Sequence, residues 1–137
     1  MNPFRRKRLS PELARAHEGF RGVLGDVERA IGILTQAAPT TRFDGRPLGE
    51  VLAGFESGLQ IARDRMPDWR RREVQELEDA WVACGRGLDE ASEIAERLRL
   101  QAPTIAGFEA IIGTIDALIA PLEVFEDAAE RFSDLRR

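Results

Sequence analysis

The chain of 137 residues has one cysteine, one histidine and no tyrosine. A single cysteine excludes an internal disulfide and points to a reducing, cytoplasmic setting. One imidazole and one thiol exclude the usual zinc ligand sets, and His17 with Cys84 is the one cysteine–histidine pair left for nucleophilic chemistry. A glycine-rich phosphate loop, a G-x-S-x-G elbow and paired cysteines are all missing. Long apolar runs are missing too. The most membrane-like stretch, 102–125, is broken by Glu109, Asp116 and Glu123 and holds two prolines, which argues against a lipid span. No apolar segment follows the basic opening, so it does not read as a secretory signal. No segment alternates apolar and polar residues with period two, which excludes a sheet.

What is present is the mix of a soluble globular domain, with 43% hydrophobic and 32% charged residues. A chain of this length buries roughly two-thirds of its unfolded surface, enough for one core. The net charge of −4 hides an asymmetry. Residues 1–72 carry 14 basic and 9 acidic side chains, residues 73–137 carry 6 and 15. The acidic balance argues against a dedicated nucleic-acid-binding domain.

Four helical segments follow from punctuation and periodicity. Ser10-Pro11-Glu12 opens the first, with a hydroxyl to cap and a proline where its missing N–H costs nothing. Leu13, Ala16, Phe20, Val23, Val27, Ala30 or Ile31, Leu34 and Ala37 then recur in steps of three and four, one face of a helix. Pro39 and Asp44-Gly45 mark the turn. Pro47 opens the second helix, whose stripe is Leu48, Leu52, Phe55, Leu59, Ala62 and Met66, and Pro67-Asp68 ends it. The third helix is expected from about residue 68 to 101, on Val74, Leu77, Trp81, Cys84, Leu88, Ala91, Ala95 and Leu98, with Gly85 and Gly87 as local weak points. The fourth starts around Pro103 on Ile105, Phe108, Ile112 and Ile115. It slips phase, resumes at Leu118, Leu122, Phe125, Ala129 and Phe132, and is expected to kink near Pro121. Short connections make these an all-α four-helix bundle, up-down-up-down, over residues 10–137, after a flexible basic tail at 1–9.

Candidate chemistry is sparse. A di-iron bundle needs two Glu-x-x-His pairs, and the residue three before His17 is alanine. Glu73-x-x-Glu76 and Glu90-x-x-Glu93 offer paired carboxylates for Mg²⁺, but on one helix they stand roughly 21 Å apart, which reads as a solvated face. No cofactor and no metal are expected, and the chain reads as a non-enzyme. A Mg²⁺-dependent carboxylate enzyme is the third reading.

Three features point to binding instead. Gly19, Gly22, Gly25 and Gly32 cluster on the first helix opposite Phe20, Val27 and Leu34. Each costs about 1 kcal/mol relative to alanine in a helix, and close approach by a second copy or a partner helix is a physical reason to have them. Arg70, Arg71 and Arg72 stand at the expected start of the third helix, against its dipole, and call for nearby or partner carboxylates. Arg5, Arg6, Lys7 and Arg8 follow Phe4 and form a candidate contact for an anionic membrane or a nucleic-acid backbone. The first expectation is therefore an interaction or adaptor protein with a protein partner or self-association. The second is a tether through the basic tail. A small apolar ligand in a gap opened by Pro121 is a further possibility.

Overall fold

A computed structural model of the chain describes residues 9–37, 46–101 and 108–135. It contains α1 (Pro11–Ala37), α2 (Arg46–Arg65), α3 (Gln75–Gln101), α4 (Phe108–Ile119) and α5 (Val124–Asp134). Single 3-10 turns at Met66–Trp69 and Ala120–Glu123 follow α2 and α4. Among the described residues there is no strand. The cap read from sequence is present: the Leu13 amide donates to Ser10 Oγ at 3.2 Å and the Ala14 amide to the Ser10 carbonyl at 2.8 Å.

The rods run up-down-up-down around one core. Between α1 and α2, Ile33 faces Gly54, Ala30 faces Gly58, Gly22 faces Arg65 and Gly19 faces Asp68 in the following 3-10 turn. Between α2 and α3, Glu56 pairs with Arg99, Arg63 with Asp89, and the Trp81 indole N–H donates to the Met66 carbonyl at 2.8 Å. Between α3 and the last rod, Gly87 faces Pro121 and Cys84 faces Val124. In each pair one number falls as the other rises, so neighbours are antiparallel. Phe20 closes the ring by meeting Phe125 and Phe132 of α5, at centroid distances of 6.4 and 5.1 Å. Each such side chain contributes roughly 1.5–3 kcal/mol by leaving water.

The α2 stripe is buried as expected, and so are Ala16, Phe20, Val23, Val27, Ala30 and Leu34 of α1. Two boundaries differ from the sequence reading. α3 starts at Gln75, not near 68. Pro67 sets a 3-10 turn that drives Trp69 wholly into the core, against Phe20 at 5.0 Å and Phe132 at 6.0 Å. Arg70–Val74 then crosses the end of the bundle, and the helix begins where Glu76 and Glu78 favour its positive end. The expected kink at Pro121 is a full break, with a 3-10 turn separating α4 from α5. Above that break Ile112 is 40% exposed, so it leaves the stripe expected to face inward. Below it Ala128 is the fully buried alanine, with Ala129 at the core's edge.

Candidate functional site

The single histidine and cysteine are held apart. Cys84 is buried, and its thiol lies 3.8 Å from the Val124 carbonyl. Burial, with the nearby Asp127 charge, pushes the thiol pKa up to about 12, so it carries no thiolate at neutral pH. His17 packs against Phe132 at 5.1 Å. Phe132 stands eight residues beyond Val124 on α5, or about 12 Å along its axis. The two side chains therefore occupy different levels of the bundle and form no dyad.

The two carboxylate pairs, expected on one helix, are not both wholly on it. Glu73 lies in the turn before α3 and pairs with Arg71 at 3.9 Å, while Glu76, Glu90 and Glu93 are on α3. Among the described residues no group of three or more His, Cys, Asp or Glu is placed to hold a metal ion. No helix among them is long and apolar enough to cross a membrane.

The glycine row divides into two kinds. A Cβ at Gly19 would sit 2.6 Å from the Asp68 carbonyl oxygen, and one at Gly22 would sit 2.5 Å from the Arg65 guanidinium. These two glycines accommodate the chain's own second rod, so the outward-facing assignment fails for them. They belong to a second stripe on α1: Gly19, Gly22, Asp26, Ala30 and Ile33 all turn toward α2, with Asp26 and Ala30 buried, the two glycines half-buried and Ile33 at the exposed edge. Asp26 is only 4% exposed in this stripe and pairs with Arg65 at 3.2 Å and with Arg29. Such a buried carboxylate is stable only because its charge is matched. By contrast, Gly32 has nothing within 4 Å and Gly25 only its own helix's Arg29. They line a shallow polar recess of about 440 Å³ with Glu28, Ile33 and Gln36.

The arginine cluster lies in the crossing segment rather than on a helix start. Arg70 donates to both Glu78 carboxylate oxygens, closest at 2.7 Å, and covers the Trp81 ring at 4.0 Å. The hydrogen bond to Arg70 lowers the Glu78 pKa, and the same bond raises that of Arg70. Arg71 donates to the Glu12 carbonyl at 3.2 Å, tying the crossing segment to the start of α1. Arg72 is exposed. Arg5, Arg6, Lys7 and Arg8 lie outside the described residues.

Pro121 opens no gap toward α3. Its carbonyl oxygen would stand 2.4 Å from a Cβ at Gly87, so the break in the last rod is seated on that glycine. The cleft between α3 and α5, about 400 Å³, has an alanine floor and a rim of Glu76, Asp79, Asp127 and Arg131.

One recess is apolar and opens outward. Where α2 passes into its 3-10 turn and runs beside α3, a groove of about 370 Å³ is walled by Met66, Pro67, Trp81, Val82 and Leu88. Gly85 leaves it open, since a Cβ there meets nothing within 4 Å. Trp81 is fixed on two sides, by its bond to Met66 and by the Arg70 guanidinium. Arg63 paired with Asp89 closes one rim, and Arg86 stands exposed on the other. No protein family, curated protein or solved structure matches the chain. The groove was not read from sequence, although the residues were visible. Val82 falls one residue off the core stripe, and Gly85 in sequence signals only a weak point in the helix.

Proposed function

We propose that this chain is a non-enzymatic helical interaction module, an adaptor or assembly component that works in the cytoplasm through its outer surface and takes a protein partner or a second copy. The observation that carries this reading is the groove beside α3. An apolar recess held open by Gly85, walled by an immobilised tryptophan and rimmed by an exposed Arg86, is the kind of surface an apolar anchor residue fills. Val82, 37% exposed at its edge, adds apolar surface that a contact would cover. The cytoplasmic placement is supported by the free, buried thiol of Cys84.

The test is a binding comparison between the full chain and Gly85→Trp, which fills the groove without touching the core. A purified partner, or the chain itself, is expected to bind the native protein and to lose at least about tenfold in affinity to the variant. Equal affinity for both proteins overturns the assignment of the groove. Stabilisation by Mg²⁺ in a thermal-shift assay, with catalytic turnover, overturns the non-enzymatic reading.

A further inference from the structure

Among the described residues the most exposed large hydrophobic side chain is Leu100, at 72%. It lies on α3, the helix that carries Val82 and Gly85 at the groove. Leu100 and Val82 are 18 residues apart on that helix. At 3.6 residues per turn this is five turns, so both point the same way, about 27 Å apart. Between them the same outward stripe carries Arg86 near one end and Glu96 near the other, both exposed.

Resting on the interaction reading above, we propose that this face of α3 pairs with the same face of a second copy, antiparallel, about a two-fold axis at the level of Ala91. That axis lays each Leu100 over the Val82–Gly85 edge of the other copy's groove. The same operation sets each Arg86 at the level of the other copy's Glu96, across the seam. The like-signed Asp89 and Glu93 also meet, and Arg63 on the same copy already neutralises Asp89. The surface thus matches itself in shape at its ends and in charge at Arg86 and Glu96, as an isologous interface requires, while the central Glu93 carboxylates offset part of that gain. A crossing near +20° keeps both ends in contact over this length, whereas one near −50° separates them.

Sedimentation equilibrium of the full chain tests the pairing. The native protein is expected to dimerise with concentration. Leu100→Lys, Arg86→Glu and Glu96→Arg are each expected to raise the dimer Kd about tenfold or more. All three positions are exposed, so unchanged far-UV circular dichroism and melting separate loss of pairing from loss of fold. The double variant R86E/E96R exchanges the two charges and is expected to return the Kd to within about threefold of the native value. A chain that stays monomeric up to about 1 mM overturns the pairing. So does a dimer indifferent to Leu100→Lys, or a double variant as weak as either single one. A monomeric chain whose partner is lost on Gly85→Trp overturns the pairing alone, and a monomeric chain with no groove-dependent partner overturns the interaction reading as well.

Discussion

Two glycines two residues apart on α3 should respond to the same substitution with opposite signs. At Gly85 a Cβ meets nothing within 4 Å, so alanine changes only the helix's own preference. That is a gain of about 1 kcal/mol. For 137 residues the entropy of unfolding is about 0.29 kcal/mol/K, and the gain becomes a rise of about 3–4 °C in Tm. At Gly87 the same gain is opposed by the Pro121 carbonyl oxygen at 2.4 Å and the Val124 side chain at 3.0 Å from the new methyl. Ordinary contact requires α3 and the 3-10 turn to part by about an ångström, and overpacking of this kind costs about 1–3 kcal/mol. The obstacle is backbone, which cannot swing aside as a side chain does. The separation also loosens the neighbouring contact of Cys84 with Val124. Overpacking less the helix gain leaves a loss of up to about 2 kcal/mol, and the loosened Cys84 contact adds to it, so the net expectation for Gly87→Ala is a loss of about 1–2 kcal/mol, or a fall of about 3–7 °C. Thermal melts read by far-UV circular dichroism, with urea titrations to confirm an unchanged slope, measure both variants. A Gly87→Ala protein that melts at or above the native temperature refutes the argument that the broken fourth rod is seated on this residue.

The same reasoning separates Gly19 from Gly32. Gly19→Ala, which meets the Asp68 backbone, should lower Tm, and Gly32→Ala, which meets nothing, should raise it by about 3–4 °C in the same melting assay. Glu78 has its pKa lowered by Arg70, so its pairing contributes stability above its unfolded value of about 4.3 and loses it as pH falls through the folded one. Urea titrations between roughly pH 5 and 3 should therefore show a shallower acid loss in Glu78→Gln than in the native chain. Cys84, with its thiol pKa pushed up to about 12, should resist an aromatic disulfide reagent at pH 7 and react only as the protein unfolds, which absorbance of the released thiolate would show.

Most of the architecture was legible in the sequence because it rests on large apolar side chains at regular steps. The α2 stripe from Leu48 to Met66 is the clearest case. The rest is carried by small or charged residues. The second stripe of α1 reads Gly19, Gly22, Asp26, Ala30 and Ile33, in which the first three carry no hydrophobic signal although the stripe packs directly on α2. Closeness, not apolar area, defines that contact. Trp69 was hidden for another reason: a proline turn, not a helix, delivers it to the core, so no period of 3.6 points to it. The role of Gly87 depends on where a carbonyl of a distant rod ends up, which local pattern cannot encode. As for candidate sites, Arg70, Arg71 and Arg72 conflict with a helix dipole only if α3 starts near residue 68, and it begins at Gln75. Their use is seen only once Glu78 and Trp81 are placed beside Arg70.

The two tryptophans stand at different depths, Trp69 wholly enclosed and Trp81 half-covered beneath a guanidinium. They supply the molecule with two native optical reporters. Iodide should quench emission from the second while leaving the first dark to it, and occupancy of the neighbouring recess should shield that second ring. Intrinsic fluorescence can thus follow binding at the surface and opening of the interior separately, with no label added.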